Sequence, residues 1–192
     1  MKSITLIICI FIIFVYGCKS KNKFNSDEKV ADELANNVNA QNEIVFSEWD
    51  YLTTLYNNRN EKGIELVGIV NMTLGSNTFD SKKLNELLNK SKEIKNINDI
   101  ILEENKFVSF SDLQKDIANQ ISSLLIIAEN KHINNESYTN NLAQLERFEN
   151  QIAIKRQQYN NVVKTYNKKI ENANNTFFKK YPNLGKKNYF KP

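Results

Sequence analysis

An apolar stripe near the end of the chain constrains its fold more than any other feature. Tyr138, Leu142, Leu145, Ile152, Tyr159, Val163, Tyr166 and Ile170 recur at steps of three, four or seven, the spacing of one face of a helix that runs for roughly nine turns. A helix of this kind cannot bury its stripe alone, so other helices must cover it. The rest of the chain supplies them. Val30, Leu34, Val38, Gln41, Val45, Trp49, Leu52 and Tyr56 form a second stripe, with only Gln41 polar, and predict a helix over 27–58. Ile64, Val67, Val70 and Leu74 predict another, ending near Gly75-Ser76. Asp80 and Ser81 are candidate caps for a continuation through Leu84, Leu87 and Leu88.

Residues 90–106 read as a connection with some helix, in which Ile94, Ile97, Ile100 and Ile101 cover a groove. Ser109 and Ser111 are candidate caps for a helix carrying Leu113, Ile117, Ile121, Leu124 and Ala128. With only 5 Gly and 2 Pro in 192 residues, the many tight turns of a β-sandwich or barrel are excluded, as is a glycine-rich phosphate loop. The expected fold is all-α: an elongated antiparallel bundle of three to four long helices over 27–172, with coiled-coil-like crossings.

The last stripe has two gaps. Continuing its steps from Leu145 lands on Glu149, and from Ile152 on Arg156. A buried unpaired charge costs several kcal/mol, so each needs a partner from another helix, with Glu48, Asp50 and Arg59 as candidates. A register-fixing interhelical ion pair is favoured here over a functional polar site.

The first residues differ from the rest. Lys2 precedes an apolar run from Ile4 to Tyr16 that ends in Val15-Tyr16-Gly17-Cys18. As a helix this run reaches only ~20 Å, short of the ~30 Å of a bilayer core. It reads as a secretory signal over 1–17 rather than an uncleaved anchor. Gly17-Cys18 resembles the lipobox of bacterial lipoproteins, although Tyr16 is larger than the residue usual at its place. That resemblance implies a diacylglyceryl group on Cys18, loss of Cys9 with the signal, and a short tether over 18–26. Two or more acyl chains hold a protein stably on a membrane.

The helix around the two charged gaps also carries a family resemblance. Glu149-Asn150-Gln151-Ile152, Arg156, Tyr159-Asn160, Val163 and Tyr166-Asn167 resemble the signature helix of the LemA family. Leu124-Leu125, Ala128-Glu129, Tyr138, Leu142 and Leu145 continue the likeness upstream. Glu48-Trp49, Tyr56, Arg59 and Leu66-Val67 add to it in the first helix, and Gly185-Lys186-Lys187-Asn188-Tyr189-Phe190 resembles the family's basic-aromatic tail. The chain departs from the family pattern at Lys131-His132, Asn58-Arg59 and Ile64, and 75–108 does not align. The resemblance implies a membrane-attached extracytoplasmic helical bundle and supplies no enzyme activity.

Little material for catalysis is present. Glu129-Asn130-Lys131-His132 has the Glu-x-x-His spacing of di-iron bundles, but such a site needs two of these motifs and His132 is the single His. His132 therefore reads as a turn residue. Glu103-Glu104 lies in polar surroundings and reads as a solvated face. No catalytic residue, metal or cofactor is expected. The tail over 173–192 carries Lys179, Lys180, Lys186, Lys187 and Lys191 with no acid after Glu171, among Phe177, Phe178, Tyr181, Tyr189 and Phe190. Anionic lipid or an acidic partner could meet Lys179, Lys180, Lys186, Lys187, Tyr189 and Phe190. The alternative is that the aromatics pack back on the bundle and the lysines are solvated. Export argues against nucleic acid as a partner. The expectation is a lipid-anchored rod of the bacterial cell envelope, facing the extracytoplasmic side. It would act as a scaffold or adaptor for unidentified envelope proteins, and self-association of the rods is left open. A membrane-shaping role for the tail is the alternative. Glu149, Arg156, Tyr159, Asn160, Tyr166 and Asn167 are the candidate polar seam.

Overall fold

The computed structural model describes the backbone of residues 2–75, 81–94 and 97–191, and side chains from residue 28 onward except Ile97. The expectations for the signal segment 1–17, Cys18 and the tether 18–26, and the cap expected at Asp80, lie outside these described side chains. Six helices follow one another: α1 (Lys2–Leu74), α2 (Lys82–Lys92), α3 (Ile97–Ile100), α4 (Glu104–Asn130), α5 (Glu136–Glu171) and α6 (Asn175–Lys180). The architecture is all-α, as the periodicity predicts.

The antiparallel pair α1·α5 is the axis of the molecule. With 36 residues, α5 extends ~54 Å. Two clusters of buried side chains divide its length. At one end Leu66, Val67 and Val70 of α1 pack with Leu84 and Leu88 of α2, Ile117, Ile121, Leu124 and Ala128 of α4, and Tyr138 and Leu145 of α5. Here four helices enclose a core. At the other end α2 and most of α4 have run out, and the α1·α5 pair must be covered by something else. Phe107 and Phe110 from the first turns of α4, Ile100 and Ile101, Phe177 of α6, and Leu184 and Phe190 of the tail do so. The tail is thus a structural layer that substitutes for missing helices.

Local sequence explains the ends of the helices. Gly75, at φ +91, closes α1 in the left-handed conformation that glycine adopts without strain. Asn135 caps α5, its side chain accepting from the Tyr138 N–H at 2.8 Å, and Asn174 caps α6 in the same way. Between α4 and α5 a Schellman motif forms: the Ile133 N–H bonds the Ala128 carbonyl and the His132 N–H bonds that of Glu129. His132 occupies its left-handed position at φ 55, usually given to glycine. His132 is the turn residue the sequence suggests.

Four local expectations are corrected. The break expected between 58 and 64 does not occur, because α1 continues through it. Arg59 and Asn60 are buried there against α4, and this tertiary contact overrides the poor helix propensity of Asn58 and Asn60. Next, α4 begins at Glu104 rather than at Ser109 or Ser111. Its buried face is Phe107, Phe110, Gln114 and Ile117, which extends the stripe a turn earlier and leaves Leu113 at the margin. Ser81 stands at the N-cap position of α2 but makes no capping bond with its side chain. The first stripe is also rotated by one position at its start: Val30 is 54% exposed and Ala31 and Ala35 are buried instead.

Candidate functional site

The second half of α5 presents Tyr159, Asn160, Tyr166 and Asn167 along one side, and residues 185–191 lie against them. Each Tyr-Asn pair holds the tail in the same way. Asn160 donates from Nδ2 to the Phe190 carbonyl at 2.8 Å and accepts from the Phe190 N–H at 2.9 Å. The Tyr159 hydroxyl donates to the Asn188 carbonyl at 2.7 Å. One heptad away, Asn167 donates to the Lys187 carbonyl and accepts from the Lys187 N–H, both at 2.9 Å. The Tyr166 hydroxyl donates to the Gly185 carbonyl at 3.0 Å.

The repeat has a metric cause. Seven residues of helix rise ~10.5 Å, and three residues of extended chain span ~10 Å. Each heptad of α5 therefore meets every third tail residue in the same register, the tail running antiparallel to the helix. Each asparagine acts as a two-pronged mimic of a neighbouring strand. Burial pushes the Tyr166 hydroxyl up to about 12 and raises that of Tyr159 as well, so both stay protonated as donors.

The side chains of the tail fill two recesses. Phe190 lies among Phe107 at 4.8 Å, Tyr159 at 5.9 Å and Trp49 at 6.4 Å between ring centroids. Arg156 covers its ring with the guanidinium carbon 4.4 Å from the centroid. Lys187 is only 4% exposed, and its ammonium lies between the rings of Phe46 at 5.1 Å and Tyr166 at 5.4 Å. Cation–π attraction holds it there, while desolvation lowers its pKa to about 8. Asn188 fastens the strap from the other side, with its N–H and side-chain amide both donating to the Ile101 carbonyl.

The other tail lysines are mostly paired. Lys186 meets Glu171 at 2.9 Å, Lys191 meets Glu104 at 3.5 Å, and Lys180 meets Asp32 at 2.7 Å. Asp32 also accepts from the Tyr181 hydroxyl, and these two bonds hold its carboxyl below the usual carboxylate range. Lys179 and Tyr189 are exposed, with the ammonium of Lys164 over the Tyr189 ring.

The two charged gaps in the stripe are placed differently from each other. Glu149 reaches Arg59 at 3.6 Å, and its side chain is 41% exposed, whereas that of Arg59 is 2% exposed. Arg156 takes the face of Phe190 instead of a carboxylate. Glu48 pairs with Lys155 at 3.2 Å, and Asp50 contributes its backbone carbonyl to Thr53 and Thr54. Among the described residues of the helices, Arg59 rather than Glu149 is the buried charge. Its guanidinium donates to Asn60 Oδ1, to Gln114 Oε1 at 2.7 Å and to the Gln114 carbonyl. Asn60 and Gln114 in turn donate to the Ser91 hydroxyl of α2. Burial lowers the pKa of Arg59 and Glu149 opposes that shift. Sequence reading missed Gln114 and Ser91, because each sits in an otherwise ordinary amphipathic pattern. Beside this network a cleft of ≈ 300 Å³ opens between Tyr56, Ile64, Lys92 and Phe110.

None of this presents a nucleophile activated by a base, and among the described residues no group of three or more His, Cys, Asp or Glu converges on a metal-sized space. Nor is any helix of the described residues long and apolar enough to cross a membrane. The class defined is an all-helical rod that uses heptad-spaced Tyr-Asn pairs to strap down its own tail. The sequence profile of the LemA family matches residues 48–192, a span that includes the strap, the seam and the buried Arg59, and the chain belongs to that family. No curated protein and no solved structure matches it.

Proposed function

We propose that this LemA family protein is a membrane-anchored, extracytoplasmic scaffold or adaptor of the bacterial cell envelope, without catalytic activity. The observation that carries the reading is how the polar seam is used. Tyr159, Asn160, Tyr166 and Asn167, the side chains an enzyme would draw on, are engaged with the chain's own backbone. Their effect is to stiffen a rod, and a stiff rod with exposed faces suits a spacer or platform. The anchoring half rests on the apolar run Ile4–Tyr16 ahead of Gly17-Cys18. The alternative, a tail that binds anionic membrane, is disfavoured by the pairing of Lys180, Lys186 and Lys191 and the burial of Lys187.

Cell fractionation of the wild-type chain and Cys18→Ala tests the anchor, which predicts loss of the variant from the membrane fraction. An unchanged distribution would refute it. Crosslinking in intact cells followed by mass spectrometry tests the adaptor role. Recovery of the same envelope proteins with wild type and with a chain truncated after Asn175 separates a helix-face partner from a tail-dependent one.

A further inference from the structure

The strap is held along its backbone as well as by the side chains of Lys187 and Phe190, which makes the groove beneath it a receptor for an extended segment. We propose that residues 185–191 are a releasable latch, and that the groove on α1 and α5 docks the same segment of a second copy, so that two rods join by exchanging tails. The inference stands on the seam alone and holds whichever membrane or partner the rod serves.

Three observations support it. First, the groove reads general features: four side chains of α5 make six hydrogen bonds to tail backbone, and side-chain selection falls on two positions. One recess, between Phe46 and Tyr166, takes the long side chain of Lys187, whose charge is desolvated there. The other, among Trp49, Phe107 and Tyr159, takes an aromatic ring three residues later. The ligand is thus an extended Lys-x-x-Phe segment, and every copy of the chain carries one at Lys187–Phe190.

Second, the latch has a place to open, at the expense of the core contacts of Leu184 and Phe190. Phe177 anchors α6 and is fully buried, Pro182 and Asn183 between α6 and the strap are exposed, and Leu184 just beyond them is buried and must lift with the strap. Third, the closed state carries a built-in penalty. Lys187 is desolvated between the rings of Phe46 and Tyr166, which opposes docking of its charged form at neutral pH. A latch made of one short strand with such a penalty is reversible, and reversible strand docking is the condition for exchange between identical chains.

Within one chain the tethered tail competes at an effective concentration of about millimolar, so wild-type chains stay closed when dilute. The test uses two full-length variants with different affinity tags in detergent micelles. The acceptor is Phe190→Ala, with an intact groove and a disabled tail. The donor is Asn160→Ala plus Asn167→Ala, with an intact tail and a disabled groove. Circular dichroism first establishes that both remain helical. Donor and acceptor should co-purify at a level roughly tenfold above either variant with itself. An acceptor that also carries the two asparagine substitutions controls for shared micelles and should lose this excess.

A labelled peptide of residues 185–192 should bind the Phe190→Ala chain about tenfold or more tighter than wild type, since its own tail no longer competes. The groove-disabled acceptor should not bind it. If the folded Phe190→Ala chain fails to take the peptide, or if donor capture persists with the groove disabled, the proposal is overturned. Binding of the peptide without any excess of donor–acceptor capture would overturn the exchange between copies. None of these outcomes depends on where the protein is anchored.

Discussion

Replacing Asn160 by alanine removes the prongs that hold the backbone of Phe190, and the loss can be worked from the geometry. Two hydrogen bonds go, at 2.8 and 2.9 Å, each contributing about 0.5–1.5 kcal/mol net. Where the freed N–H and carbonyl of Phe190 stay covered, the strap must lift to hydrate them, which also exposes the Phe190 ring. The loss is therefore bounded below by the two bonds and above by the whole docking energy of the strap. About 2 kcal/mol is expected, corresponding to a fall in Tm of roughly 4–8 °C at the 2–4 °C per kcal/mol typical of a chain this long. Thermal unfolding followed by circular dichroism measures that number, and hydrogen exchange locates it. The Phe190 N–H bonds to Asn160 and should lose protection. The Asn188 N–H bonds to the Ile101 carbonyl and reports whether the rest of the strap stays down. Asn167→Ala should expose the Lys187 N–H in the same way. Because either change loosens one strap, the double variant should fall short of the sum of the two. A loss below ~0.5 kcal/mol for Asn160→Ala, with Phe190 protection unchanged, would refute the clamp.

Lys187→Met should dock the tail more tightly at neutral pH and flatten its pH dependence. In the wild type the unfolded chain binds more protons than the folded one between about 8 and the ordinary value of 10.5, so stability rises with pH across that window. The buried Tyr166, raised to about 12, opposes this only above the ordinary tyrosine range. Tail hydrogen exchange at pH 7 and denaturant unfolding from pH 7 to 10 read the two effects. His132→Gly should stabilise the chain by about 1 kcal/mol, by removing the strain of a side chain at positive φ, as measured by urea unfolding. Gly68→Ala should stabilise α1 by roughly 0.5–1 kcal/mol, since a Cβ there meets open space. Gly63→Ala should instead lose that gain or destabilise, because its Cβ would lie 2.7 Å from Ile121 Cδ1 inside the core. Equal urea midpoints for the two glycine variants would contradict the close approach of α1 and α4 at Gly63.

The α5 stripe is readable because a period of 3.6 recurs over many turns, and seven of its eight expected positions are buried, with Leu142 at the margin. The start of α4 is not readable in that way. Phe107 and Phe110 look like part of a connection until the end of the bundle that they cover is known. Arg59 illustrates the same limit for the polar residues. The sequence gaps draw attention to Glu149 and Arg156 and offer Arg59 only as one of three partners, but it is Arg59 that is buried and Glu149 that stays half-exposed. Gln114 and Ser91 make that burial tolerable from two other helices, and only a folded chain brings them together.

By itself the sequence determined that the chain is helical, which face of α5 turns inward, and where α1 and α4 end, since these follow from local spacing and from Gly75 and His132. The tertiary structure decided the role of the tail. A basic-aromatic segment has the same composition whether it is solvated, lipid-bound or packed. What selects among these is the uncovered end of the α1·α5 pair and the match between one helical heptad and three extended residues. Both arise from the relative lengths and registers of elements far apart in the chain, and no local pattern encodes them.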